Sequence, residues 1–205
     1  MKPCVIVGAG EFTGLSGIRH TDYYYIIAAD GGYDNLKQFG IKPDLIIGDL
    51  DSINNIPADI ETIRFPIEKS ASDMELAVEE AIRRGYGYFY IYGALGKRLD
   101  HTLANIAVLV NISKRGYLAY LIGGGCEITA VTNSRLTFGK EKTGVVSVFP
   151  AGDEARGVTL TGLKYPLCDA VIKCGTTVGL SNEFLGVESF IKVKNGTLVV
   201  IITDR

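Results

Sequence analysis

Apolar residues follow one rhythm before residue 125 and another after it. In the first stretch, short apolar runs end at glycine, aspartate or proline. They predict strands at residues 3–10, 24–29, 45–48, 61–65, 88–92 and 117–122. Helical periodicity lies between them. Residues 35–39 fit a short helix stopped by Gly40. Met74, Ala77, Val78 and Ala81 fall at i, i+3, i+4 and i+7 and predict a helix with one apolar face. Ser72 and Glu75 match a capping box at its start, and Gly85 sits just past its end. Leu103, Ile106, Ala107 and Val110 mark another helix, which ends at Gly116. Strands alternating with helices predict βα units and a mainly parallel sheet.

Gly123-Gly124-Gly125 breaks this pattern. After it come only short strand-like runs, at 127–131, 135–138, 145–149, 157–160, 189–193 and 198–202. Asn195-Gly196, between the last two, predicts a type I′ hairpin. The expected fold class is therefore α/β. A Rossmann-like, mainly parallel sheet with helices would occupy residues 1–125, and a smaller all-β sandwich domain residues 126–205.

Bulk properties narrow the function. The chain has 205 residues, 47% hydrophobic, with a net charge of −2. That balance gives no reason to expect nucleic acid or a membrane surface as partner. No apolar run reaches the length of a membrane span. Met1-Lys2 leads straight into a strand without a signal-peptide pattern, so a cytoplasmic location is expected. Cys4, Cys126, Cys168 and Cys174 are scattered without a C-x-x-C pair and read as structural thiols. His20 and His101 are the only histidines and form no H-E-x-x-H motif, which argues against zinc hydrolysis.

The candidate chemistry is carboxylate-based. Asp49 and Asp51 stand two residues apart just after the strand at 45–48. In open α/β sheets ligands bind at that carboxyl edge; solvated acids closing a strand would read the same way. Asp73 falls in the first turn of the strong helix, where the helix dipole favours an acid in any case. Three carboxylates without a matching basic cluster repel one another unless a cation joins them. Hard oxygen donors select Mg²⁺, which takes one or two protein carboxylates and completes its shell with water and phosphates. A nucleoside triphosphate is the ligand this implies.

Gly8, Gly10 and Gly14 resemble the dinucleotide fingerprint but are spaced one residue too long, and Asp30 follows Gly10 by 20 residues. Tight turns after strands explain these glycines equally well. Lys97 and Arg98 follow the turn Gly93-Ala94-Leu95-Gly96 and precede a helix. They suit phosphate, or are solvated loop residues. Asp100 suits a helix N-cap. Leu180-Ser181-Asn182-Glu183-Phe184 sets two neutral hydrogen-bonding side chains beside an aromatic, or is an edge strand.

In order, Ala29-Asp30-Gly31-Gly32, Pro43-Asp44 to Gly48-Asp49-Leu50-Asp51-Ser52, Ser72-Asp73-Met74-Glu75-Leu76-Ala77, Gly93 to Leu103 and Leu180 to Phe184 resemble the thiamine pyrophosphokinase family. The ordered set spans nearly the whole chain. The resemblance implies transfer of a pyrophosphoryl group from ATP to the hydroxyl of thiamine, with release of AMP. It implies a homodimer whose active sites are shared between subunits. It gives Asp49, Asp51 and Asp73 to Mg²⁺, and Asp30, Gly31, Ser52, Ser70 and Arg98 to the nucleotide and its phosphates; Lys97, on the residues alone, is a further candidate for the phosphates. Ser181 and Asn182 would meet the aminopyrimidine, with Asp100 reaching it across the dimer. Phe184 or Tyr165 would pack on the rings. Two departures stand out: Ser72 where the family usually has Thr, and Lys97 where it usually has Gly. Three other readings compete. One is an aspartyl phosphatase with Asp49 as nucleophile, although its motif belongs after a first strand rather than a third. Another is a nicotinamide oxidoreductase using Gly8, Gly10 and Asp30, which would leave Asp49, Asp51 and Asp73 without a task. The last is a non-catalytic nucleotide sensor, which has no use for Ser181 and Asn182.

Overall fold

A computed structural model describes residues 1–15, 18, 24–51, 56–66, 68 and 70–204. The chain divides into two compact units, Met1–Val108 with Leu121–Gly124, and Leu109–Tyr120 with Gly125–Arg205.

The first unit is built on five parallel strands, β1 (Lys2–Val7), β2 (Tyr25–Ala29), β3 (Leu45–Gly48), β4 (Glu61–Arg64) and β5 (Tyr86–Tyr92). Their order is β5-β1-β2-β3-β4. β1 and β3 are almost wholly buried, as expected for parallel strands covered on both faces. Alternate residues serve opposite layers. Val5, Val7, Ile26, Ala28 and Ile46 form one core with Tyr33 and Leu36 of α1 (Gly32–Gln38). The opposite face receives α2 (Asp73–Arg83), through the predicted stripe Met74, Ala77, Val78 and Ala81. Ser72 Oγ accepts from Glu75 N at 3.2 Å, so the predicted cap is present, and Gly85 adopts a left-handed φ of 87° past the C-cap. α1 opens on Gly32 for a steric reason: a Cβ there would overlap the Val7 carbonyl.

The third helix, α3 (Leu99–Lys114), forms as its periodicity predicts, but its buried face differs from the one that marks it. Asn105, Leu109 and Ile112 point inward. Leu99 is 74% and Leu103 60% exposed, and Ala107 is exposed beside them. β6 (Leu118–Gly123) follows; α3 and β6 contribute residues to both units.

The second unit holds β7 (Cys126–Thr132), β8 (Arg135–Phe138), β9 (Val145–Pro150), β10 (Glu154–Thr161), β11 (Leu167–Lys173), β12 (Asn182–Glu183), β13 (Ser189–Lys192) and β14 (Thr197–Thr203). Its strand pairs run antiparallel, in the orders β12-β9-β14-β7 and β11-β10-β13-β8. Both groups contribute to one core, with Val131, Val148 and Val200 from the first and Val158, Leu160 and Ile191 from the second. The Asn195-Gly196 hairpin is corrected. β13 pairs with β8 and β10, whereas β14 pairs with β7 and β9. The turn carries the chain from one sheet to the other. Asn133 Oδ1 accepts from Gly196 N at 2.8 Å, and Arg156 N donates to Asn195 O at 2.8 Å. These bonds hold the turn to neighbouring strands and replace a partner strand of its own.

Candidate active site

β1 pairs with β2 on one side and β5 on the other, so strand order reverses between β1 and β5. At such a reversal the loops leaving two adjacent strands diverge and open a crevice. Here the loops are the Gly8-Ala9-Gly10 turn and the Gly93–Lys97 turn. Together with Asp30 and the start of α2 they line a cavity of about 460 Å³, a size that suits a small-molecule ligand.

The two turns are zipped together. Gly8 N donates to Tyr92 O and Gly10 N to Gly93 O, both at 2.8 Å. A Cβ on Gly93 would overlap the Gly8 carbonyl, which explains glycine there. Two amides clamp the turns from behind. Asn35 Nδ2 donates to Gly8 O at 2.8 Å and Gly10 O at 3.1 Å. Asn105 Nδ2 donates to Ala94 O at 2.7 Å. Neither asparagine was expected from the sequence. The signal was there: asparagine is a poor residue for a helix interior, and Asn105 precedes Leu109 and Ile112 by four and seven residues. His101 also lines the cavity unforeseen.

The acids gather around Asp30. Its backbone is left-handed (φ 45°), and its Oδ1 is buried without a hydrogen-bond partner among the described residues. Burial raises its carboxyl above the usual range. The charges of Asp73, Asp49 and Asp51 push the same way, against a hydrogen bond from Gly31 N–H that lowers it. Asp73 opens α2 and lines the cavity. Asp49 and Asp51 flank Leu50, which is left-handed (φ 60°) and buried. Asp49 Oδ1 accepts from Asp51 N at 3.2 Å, forming a tight turn. Among the described residues no three His, Cys, Asp or Glu stand close enough to hold an ion as they are. Gly31 caps α1, Ser70 is exposed and does not line the cavity, and Ser52 lies outside the described residues.

The cations come from the β5–α3 turn. Lys97 takes a left-handed φ of 47°, and its Nζ donates to Ala9 O at 3.4 Å. Arg98 lines the cavity and forks onto Asp100, at 3.2 Å from Nε to Oδ1 and 2.6 Å from an Nη to Oδ2. The Arg98 guanidinium, with the His101 N–H, holds the Asp100 carboxyl down to about 2. α3 begins at Leu99, so Asp100 lies in its first turn rather than at the N-cap. The pair is exposed, so an incoming phosphate can take the Arg98 fork at little cost.

In the second unit, Asn182 is 2% exposed and fully engaged. Its Oδ1 accepts from Tyr165 N and Glu183 N, each at 2.9 Å, and its Nδ2 donates to Tyr165 O at 2.7 Å. It clamps β12 to the residue-165 loop. Asn182→Ala would strand three backbone groups and is expected to cost about 2–3 kcal/mol in denaturant unfolding. A loss below ~0.5 kcal/mol would remove the clamp. Ser181 is exposed, with φ 55° and its N–H on Ser147 Oγ at 3.0 Å. Phe184 packs edge-on to Phe138 against the core, with ring centroids 5.2 Å apart. Tyr165 is 57% exposed, with Lys164 Nζ 5.5 Å from its ring centroid. Of the two aromatics Tyr165 is the more exposed, with the Lys164 ammonium already over its ring.

Comparison with known proteins accounts for both units. Residues 20–121 match the family model described as "Thiamin pyrophosphokinase, catalytic domain". Residues 133–198 match "Thiamin pyrophosphokinase, vitamin B1 binding domain". The thiamine pyrophosphokinase of Bacillus subtilis (strain 168) is 30% identical, with 98% of each chain covered. A crystal structure of thiamine pyrophosphokinase from Bacillus subtilis aligns with a TM-score of 0.89 at 28% identity, covering 99% of both chains. A thiamin pyrophosphokinase family protein from Enterococcus faecalis aligns at 0.86 and 25% identity, covering 98% of this chain and 99% of its own. The chain belongs to the thiamine pyrophosphokinase family.

Proposed function

We propose that the first unit holds ATP in the cavity between the β1 and β5 turns. There it presents the β-phosphorus to the hydroxyl of thiamine. The observation that carries this reading is the joint lining of one cavity by Asp30, Asp73, Lys97 and Arg98. In the reaction the thiamine oxygen bonds to the β-phosphorus, and its hydroxyl proton passes to a carboxylate of the acid cluster or to water. The bond from that phosphorus to the oxygen bridging to the α-phosphorus breaks, and AMP leaves with the bridging oxygen. Catalysis then rests on position and charge. Lys97 and Arg98 neutralise non-bridging oxygens.

The acids fit Mg²⁺. The unpaired, buried Oδ1 of Asp30 and its mutual repulsion with Asp49, Asp51 and Asp73 are what a hard dication would relieve. Mg²⁺ needs only one or two protein carboxylates when phosphates complete its shell, so no ready-made cage is required. Asp49, Asp51 and Asp73 would hold it, beside Asp30. When bound, Mg²⁺ supplies neutralisation of the triphosphate charge. The Rossmann-like reading of the first unit agrees with a crevice at the strand-order reversal.

Thiamine would meet Ser181 and the exposed ring of Tyr165, where a cationic thiazolium would take the place of the Lys164 ammonium. Asn182 would orient that loop, and Asp100 would come from the partner subunit of a homodimer. The exposed apolar stripe Leu99, Leu103 and Ala107 on α3 supports a second copy as partner. We place the enzyme in the cytoplasm, where its four cysteines remain free thiols. Among the described residues no helix is long and apolar enough to cross a membrane.

Lys97 tests the phosphate assignment. A left-handed lysine costs about 1 kcal/mol that glycine avoids. Lys97→Gly relieves that strain but loosens the unfolded chain by a comparable amount, so stability in denaturant should change by less than about 1 kcal/mol. The substitution should raise the KM for ATP and flatten its salt dependence. Unchanged ATP kinetics at low and high salt would make Lys97 a solvated loop residue.

A further inference from the structure

Asn105 does more than clamp a turn. It is 8% exposed, yet it lines the cavity. Its Nδ2 is pinned on Ala94 O, and a carbonyl only accepts, so the bond fixes which end of the amide is nitrogen. Among the described residues nothing donates to Oδ1. That oxygen is also absent from the fully enclosed, unpaired atoms. The acceptor therefore keeps some exposure, on a residue that lines the cavity and whose amide is pinned on Ala94 O.

The sign of this group restricts its partner. Phosphate oxygens are acceptors and are repelled by it. An N–H or O–H donor gains, as would a cation; the acids proposed for Mg²⁺ are Asp49, Asp51 and Asp73, whereas the wall next to Asn105, of Ala94, Leu95 and Ala104, is apolar and suits a nucleoside. Asn105 lies six residues beyond Leu99, about 9 Å along the helix from the end that carries Arg98. If phosphates occupy that end, the acceptor stands where the nucleoside would be.

We infer that Asn105 Oδ1 accepts a hydrogen bond from the nucleoside of the triphosphate donor, from the exocyclic amino group of the base or a ribose hydroxyl, and thereby selects the donor. This rests on the cavity being the nucleotide site. Purine riboside triphosphate lacks the amino group, and 2′-deoxy- and 3′-deoxy-ATP each lack one hydroxyl. The parent should lose at least about tenfold in kcat/KM with one of these relative to ATP, since a site built to bond a donor rejects the analogue lacking it. Asn105→Ala should lower kcat/KM for ATP and abolish that ratio, whereas a residue that only clamps Ala94 would slow all donors alike.

Equal use of all four triphosphates by the parent overturns the inference without any variant. So does an Asn105→Ala enzyme that keeps the parent's ratios. Arg98→Ala separates this failure from that of the cavity assignment. If it raises the KM for ATP while the ratios stay flat, only the role of Asn105 is wrong. If it leaves the KM unchanged, the cavity assignment falls and takes the inference with it.

Discussion

Asp30→Asn is expected to lower turnover at least about a hundredfold, the scale of losing one electrostatic stabiliser, while leaving the metal-free protein no less stable than its parent. Asparagine is the right probe. It tolerates the left-handed backbone at this position and still accepts the Gly31 N–H bond. What it removes is a buried negative charge facing Asp73, Asp49 and Asp51. The folded protein raises the carboxyl above its unfolded value. The penalty is absent below the ordinary carboxylate pKa and grows as pH rises through the raised one. The variant's advantage in Tm should therefore widen from acid toward neutral pH. Mg²⁺ should narrow the gap by stabilising the parent, which carries the extra negative charge, more than the variant. Asn at 49, 51 or 73 should cost similar factors in turnover. Near-normal rates in all four variants would dissolve the metal site.

Subunits carrying different lesions are expected to rescue each other. Asp73→Asn damages the phosphate side, and Tyr165→Ala removes the exposed ring proposed for thiamine. Asn182 is unsuitable as the second lesion, because its side chain holds β12 and Tyr165 in place. If each active site combines two subunits, a mixed dimer gathers both lesions in one site and leaves the other intact. Random exchange of equal amounts makes half the dimers mixed, so about a quarter of all sites should work. Activity should climb toward that level after mild dissociation and remixing. Confirmed exchange with activity still at the level of the single variants would put each site within one chain.

Where one local pattern decides the outcome, the sequence was legible. α2 shows this best: its apolar stripe, Ser72 cap and Gly85 terminus all appear as read. α3 shows the limit. Its polar Asn105 shares the buried face with Leu109 and Ile112, while Leu99 and Leu103 lie on the exposed one, because the Gly93–Lys97 turn needs an amide. Asn195-Gly196 has hairpin chemistry, but the two strands it joins have better partners elsewhere, a choice made by long-range pairing. β11 was overlooked because Leu167–Lys173 mixes acid, base and cysteine on a half-exposed strand without clean alternation. Asp49 and Asp51 were visible as a pair, but the left-handed Leu50 between them was not. The cavity was hidden for a related reason. Its glycine turns lie more than 80 residues apart and meet only because β5 returns to the side of β1.

The most direct measurement follows phosphorus through the reaction. The enzyme is given MgATP labelled at the β-phosphate, together with thiamine, and the products are separated. Attack at the β-phosphorus places the label in thiamine diphosphate and releases unlabelled AMP in equal amount. Label recovered in ADP or inorganic phosphate, or a product carrying only the γ-phosphate, would contradict pyrophosphoryl transfer at this site.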